Sequence, residues 1–194
     1  MLSIADFYSN VDDVRAFAMQ QEFFSEEGHY PGRRTKPFLN DSVKEIIQST
    51  IKPFAGEVTW WGDQNSGAFQ YTTAADRSWI HSDGNTDWAA VCYLTPDAPL
   101  SAGTGIFKHK KTGLRNWIYK EQATNGDPRG IENAPHRGSD SMDYTKWDMV
   151  DRIGNMYNRL IMYRGDLFHV SLDYFGRDLE TGRLFQTFFF NTEK

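Results

Sequence analysis

Two textures meet near residue 57 of this 194-residue chain, and the second of them limits the fold most. From Glu57 onward, short runs of aromatic and β-branched residues are interrupted by Gly, Asp, Asn or Pro. That is the pattern of short strands joined by turns. It predicts strands over residues 58–61, 68–72, 78–81, 88–94, 104–109, 158–163, 167–171 and 183–191. Upstream, residues 4–24 read as a helix with Val14, Phe17, Ala18 and Phe23 or Phe24 on one face, ended by Tyr30-Pro31-Gly32. A second helix is expected over 42–51, capped by Asn40 or Asp41 and closed by Pro53. Eight short strands after two helices favour a mainly β fold with flanking α-helices, a jelly roll or barrel, over a parallel βαβ sheet.

The length fits one domain over 1–194, with helical support over 1–56 and a β core over 57–194. No internal repeat or low-complexity tract divides it. Residues 110–156 form an insertion rich in Gly, Asp, Asn and Lys. It is too polar to read as core, and its Trp117, Tyr119, Tyr144 and Trp147 suit either a lid over a site or a surface insertion. With 26 acidic against 21 basic residues and a net charge of −5, the chain lacks the basic excess that nucleic acid or an anionic membrane would recruit. The single cysteine, Cys92, sits in an apolar run and reads as a small buried hydrophobe in a reducing compartment. No signal-peptide pattern and no membrane-length apolar run is evident, so a soluble cytoplasmic protein is expected.

Chemistry concentrates in Ile80-His81-Ser82-Asp83-Gly84. At a strand end, residues i and i+2 share a face, so His81 and Asp83 can converge on one point, and a hairpin turn is the plain alternative. Of the other histidines, His29 and His136 fall in polar breaks and His109 lies between two lysines. His169, in Leu167-Phe168-His169-Val170, needs a partner in its apolar setting. It is either a satisfied core histidine or a third ligand. Two histidines and a carboxylate can hold Fe(II) with three open positions, or zinc with one. Arg183, 14 residues after His169, opens an otherwise apolar strand, where a guanidinium demands an anion. A carboxylate ligand and an internal ion pair both satisfy that demand.

The ordered set His81-x-Asp83, His169, Arg183 resembles the 2-oxoglutarate and Fe(II)-dependent oxygenases. Trp88-Ala89-Ala90-Val91-Cys92-Tyr93-Leu94-Thr95 and Gly103-Thr104-Gly105-Ile106-Phe107 are similar to the family's strand after the metal motif and its glycine turn. Arg159-Leu160-Ile161-Met162-Tyr163 resembles the strand that leads to the distal histidine. The resemblance implies a double-stranded β-helix, cupin-like, with the N-terminal helices packed on one sheet. It also implies Fe(II) on His81, Asp83 and His169, dioxygen, and 2-oxoglutarate with its distal carboxylate on Arg183. Tyr71 and Tyr93 resemble tyrosines that support 2-oxoglutarate in the prolyl-hydroxylase branch. The activity implied is oxidative decarboxylation to succinate coupled to C–H hydroxylation of a peptidyl or free amino acid. Two departures stand out: Arg177 competes as the anchor, and Phe185 stands where many relatives place a serine on the distal carboxylate. A non-catalytic module for a sugar or peptide and a cupin-type enzyme without 2-oxoglutarate are the rival expectations.

Overall fold

The structure is a computed structural model that describes residues 1–25, 30–62, 64–84, 86–117 and 139–193. Tyr119, named above as a lid aromatic, and His29 and His136 lie outside the described residues. Two antiparallel sheets face each other. The larger runs β1 (Leu2–Ile4), β8 (Leu160–Arg164), β5 (Trp88–Tyr93), β10 (Arg183–Thr192), β4 (Ala68–Thr72) and β2 (Arg33–Pro37), with β3 (Val58–Trp61) paired to the far end of β10. The smaller runs β7 (Trp147–Ile153), β6 (Thr104–His109) and β9 (His169–Ser171), and His81 adds a single bridge to His169 at its edge.

The central strands of the large sheet are buried on both faces, so they read as unbroken apolar runs, and only their parity separates the two sides. Trp88, Ala90 and Cys92 of β5, Leu160 and Met162 of β8, and Leu184, Phe188 and Phe190 of β10 belong to one apolar cluster. Ala18 from helix α1 (Val11–Met19) and Val43, Ile47, Ile51 and Ala55 from helix α2 (Asp41–Ala55) belong to the same cluster. The alternate residues Ala89, Val91, Tyr93, Ile161, Tyr163 and Phe185 form a second cluster facing the small sheet. Fully burying side chains of this kind contributes about 1.5–3 kcal/mol each.

The first quarter is less helical than expected. The predicted helix over 4–24 resolves into β1, paired with β8, and the shorter α1. Phe24 instead bridges to Arg34. Helix α2 starts on Asn40, whose Oδ1 accepts from the Val43 amide at 2.9 Å. It runs past Pro53 to Ala55 and ends on Gly56 at φ +79°, a left-handed cap that favours glycine. Proline is tolerated there because it removes only one carbonyl's partner in the last turn. The predicted strand at 78–81 reduces to the single bridge at His81.

The insertion also needs correction. Its last part is β7, which pairs along the whole of β6, and Trp117 and Trp147 are core residues rather than lid residues. They pack with Ile80, Phe107, Phe168 and Val170. Among the described residues no helix is long and apolar enough to cross a membrane.

Candidate metal centre

The small sheet and the loop after β4 bring His81, Asp83 and His169 together. His81 and His169 are paired by two backbone hydrogen bonds, 3.0 Å from the His81 amide and 2.8 Å from the His169 amide. Their rings stand 4.4 Å apart between centroids. The Asp83 amide donates to the Gly165 carbonyl at 2.6 Å, folding the carboxylate back toward both imidazoles. Position 165 admits no side chain, since a Cβ there would lie 2.4 Å from the Thr86 carbonyl oxygen and 3.0 Å from that of Asp83.

One ligand atom from each of the three residues falls within 4.8 Å of the others. Asp83 Oδ1 is 3.8 Å from His81 Nε2, and Asp83 Oδ2 is 3.3 Å from His169 Nε2. Each Nδ1 lies 2.9 Å from a backbone carbonyl, that of Trp79 for His81 and that of Leu167 for His169. A neutral imidazole donating from Nδ1 must present the Nε2 lone pair, so both rings are set as metal ligands. Burial, then the neighbouring His169, holds the His81 pKa below its ordinary value. Burial works against a charged His169 as well, but Asp83 outweighs it and raises His169. Burial also opposes ionised Asp83, and His169, His81 and Arg34 together outweigh it, so Asp83 is lowered. Without a metal, the Asp83 carboxylate favours a proton on His169. A divalent cation can replace that proton, and two imidazoles with one carboxylate are a donor set it accepts.

These residues open on a cavity of about 640 Å³ between the two sheets, a size suited to a small molecule. Ala89, Val91 and Phe185 line it from the large sheet, and Thr104, His169 and Ser171 from the small one. Tyr163, not anticipated from the sequence, lines it too, with its ring 4.7 Å from that of His169.

Arg183 is 0% exposed and lies one layer behind the cavity wall. Nε donates to the Ala102 carbonyl at 3.0 Å and Nη2 to that of Gly103 at 3.5 Å, while Nη1 has no partner. The guanidinium carbon sits 4.4 Å from the Phe185 ring centroid and 5.3 Å from that of Tyr93. Among the described residues no carboxylate pairs with it. The expectation of an internal ion pair therefore finds no partner there. A buried cation held only by carbonyls and aromatic faces fits an anionic ligand. Arg177, the competing anchor, is 87% exposed in a turn against Asp178.

Tyr93 joins Arg183 and donates to or accepts from Thr104 Oγ1 at 2.8 Å. Burial raises its pKa, partly offset by the charge of Arg183. Tyr71 is not brought to the site. It pairs in register with Leu184 and packs edge-on to Phe23 at 5.1 Å, on the helix side of the large sheet. Missed as well was Arg34, in a run without a strand signature. It stacks on Tyr30 at 4.2 Å, donates to Gln70 Oε1 at 2.9 and 2.6 Å, and lines the cavity mouth.

Two facing antiparallel sheets with this site between them form an oxygenase-like fold. HygX from Streptomyces hygroscopicus, solved with nickel and 2-oxoglutarate bound, matches at a TM-score of 0.60 and 11% identity over 99% of this chain and 82% of that one. The same protein with nickel, 2-oxoglutarate and hygromycin B bound matches at 0.59, again at 11% identity over 99% and 82%. A Pseudomonas putida prolyl-4-hydroxylase matches at 0.50 and 15% identity, over 100% of this chain and 92% of that one. No curated protein matches the sequence. The chain belongs to the family described as Family of unknown function (DUF6445), whose model matches residues 1–190.

Proposed function

We propose that the protein is an Fe(II)- and 2-oxoglutarate-dependent dioxygenase built on a double-stranded β-helix. One observation carries the proposal: the His81, Asp83 and His169 cluster opens on a cavity whose wall is backed by Arg183, a buried cation with no anion among the described residues. When bound, iron, 2-oxoglutarate and dioxygen supply oxidative decarboxylation to succinate coupled to hydroxylation of a C–H bond. His81, Asp83 and His169 would hold the metal, and a donor set of two imidazoles and one carboxylate would leave it coordination positions for ligands. The backbone acceptors at Trp79 and Leu167 keep both imidazoles in the coordinating tautomer. Arg183 neutralises the far carboxylate of the cosubstrate. Tyr163 and Phe185 exclude water between the two ends.

Substrate enters past Tyr30, Arg34, Trp60 and Trp79 at the mouth, where aromatic faces and amides suit a peptide or another small polar molecule. HygX, a structural neighbour, binds 2-oxoglutarate in its solved form, which supports the reading.

Anaerobic addition of Fe(II) and 2-oxoglutarate tests it. The expected result is a visible charge-transfer band that is absent from Asp83→Ala protein, and succinate on admission of air. Wild-type protein that gives neither band nor succinate rules the proposal out.

A further inference from the structure

A cross-strand row runs along the cavity face of the large sheet. Arg34 of β2 stands opposite Gln70 of β4, Gln70 opposite Phe185 of β10, and Phe185 opposite Tyr93 of β5. Residues directly opposite in an antiparallel pair share a face, and Arg34, Gln70 and Phe185 all line the cavity. Phe185 lies against the buried Arg183 guanidinium. Neighbouring strands are about 4.8 Å apart, so the Arg34 backbone, two strands away, is about 10 Å from that of Phe185, at the mouth.

The surroundings of Arg34 hold its guanidinium in one orientation. Nε and Nη2 both donate to Gln70 Oε1, at 2.9 and 2.6 Å, Nη1 donates to Asn65 Oδ1 at 2.8 Å, and the guanidinium carbon lies 4.2 Å from the Tyr30 ring centroid. Gln70 is 2% exposed and is fixed in turn by its Nε2, which donates to the Pro31 carbonyl at 2.7 Å. Both acceptors are side-chain amides, at positions where the nearly isosteric Glu and Asp would be carboxylates. An amide oxygen orients a guanidinium as a carboxylate does, without itself cancelling the charge.

Among the described residues that line the cavity, Asp83 is the only carboxylate, and it belongs to the metal centre. Tyr30, Trp60 and Trp79 give the mouth its aromatic faces. The wall thus offers a planar fork for an anion, apolar surface beside it, and no second carboxylate for an ammonium group.

We infer that Arg34 selects the substrate as a small monocarboxylic acid with an apolar body and no free amine, such as an N-acylated amino acid, whose carboxylate docks on the Arg34 guanidinium. This rests on the function proposed above and narrows its substrate class. Gln70 and Asn65 are positioning residues that act through Arg34.

The test uses the full chain loaded with Ni(II) and 2-oxoglutarate. The probes are the N-acetyl derivatives of alanine, proline and phenylalanine, each compared with its neutral carboxamide, and broadening of the probe's proton lines by paramagnetic Ni(II) reports binding beside the metal. At least one acid should bind about 10-fold or more tighter than its amide, the effect of hydrogen bonds to a charged group. Arg34→Gln should bring that pair within twofold. Gln70→Glu should do the same with Arg34 still in place, because the new carboxylate pairs with the guanidinium. Arg34→Lys should retain part of the preference, having the charge without the fork. The 2-oxoglutarate affinity of Arg34→Gln, measured by calorimetry before a probe is added, should stay within twofold of wild type. Wild-type protein that prefers none of the three acids overturns the inference, and so does an Arg34→Gln protein that keeps the preference or loses 2-oxoglutarate affinity in step with it. Wild-type, Ni(II)-loaded protein that does not bind 2-oxoglutarate overturns the proposed function itself, a failure seen before any acid is added.

Discussion

His81 and His169 face each other across two backbone hydrogen bonds of 3.0 and 2.8 Å, and the same two residues carry the imidazoles of the candidate metal centre. The ladder that positions the ligands is main chain, so a side chain can be removed without releasing it. His81→Ala should keep the wild-type circular dichroism spectrum and lose ~100-fold or more in Ni(II) affinity, at least as much as removal of a partner behind a ligand costs elsewhere. Calorimetry at neutral pH checks the second half. Wild-type affinity in the variant would exclude His81 as a ligand.

Metal and proton compete for one nitrogen. His169 has a raised pKa because of Asp83, whereas His81 is held neutral by burial. In the metal-free protein the charged His169–Asp83 pair therefore stabilises the fold fully below the ordinary imidazole value of 6.5, and that contribution fades as pH rises through the raised value. Ni(II) affinity should move the opposite way and climb over the same interval. About one proton should be released per metal on the acid side and none on the alkaline side, measured in two buffers of different ionisation enthalpy. Asp83, being lowered, should matter to apo stability only in strong acid. A flat affinity profile between pH 6 and 9 would remove the competition.

Arg183→Met separates charge from packing. The variant keeps an apolar stem against Tyr93 and Phe185 and removes an unpaired buried cation, a change that is often tolerated. It should fold and bind Ni(II). In the wild type, 2-oxoglutarate at 100 times its dissociation constant should stabilise the loaded protein by about 2.7 kcal/mol, seen as a raised unfolding midpoint. The variant should show little of that shift at the same concentration. An equal shift in both proteins would move the anchor away from position 183.

Sequence and structure agree closely where a strand is rich in aromatic and β-branched residues and bounded by turn residues: residues 58–61, 68–72 and 104–109 carry strands with the expected bounds. They part where pairing, rather than composition, makes the strand. β2 reads Arg-Arg-Thr-Lys-Pro and has no strand signature, yet it pairs with β4. β7 keeps five of its seven residues out of the core at the edge of the small sheet, so it looked like part of a polar insertion. The site shows the same division. The two histidines and Asp83 were legible because their settings are local, whereas Arg34 is recruited by contacts far along the chain. Tyr71 failed on parity: once Arg183 is set opposite Thr72, Tyr71 must face the helices, but a sheet apolar on both faces hides its parity from a hydropathy pattern.

That parity can be tested with two matched substitutions. Tyr71→Phe leaves the contact with Phe23 intact and should change 2-oxoglutarate affinity by less than twofold. Tyr93→Phe breaks the bond to Thr104 beside Arg183 and should cost about 0.5–1.5 kcal/mol of stability. Urea unfolding and calorimetric titration of both proteins check the pair. A loss of cosubstrate affinity in Tyr71→Phe would mean that β4 is registered one residue away.

Trp147 and Trp60 divide the aromatic residues between core and mouth. Trp147 is 4% exposed, its ring meets Phe168 edge-on at 5.0 Å, and its indole Nε1 donates to the Asp140 carbonyl at 2.8 Å. Trp60 is 42% exposed and lines the cavity. Trp147→Ala should therefore destabilise by about 3–5 kcal/mol, through a cavity and an orphaned carbonyl. Trp60→Ala should stay within about 0.5 kcal/mol of wild type. Urea midpoints measure both. If Trp147 were a lid over the substrate, its loss would leave stability nearly unchanged and slow turnover instead; the two outcomes are opposite, so a single unfolding curve decides between a tryptophan that builds the small sheet's core and one that covers the site.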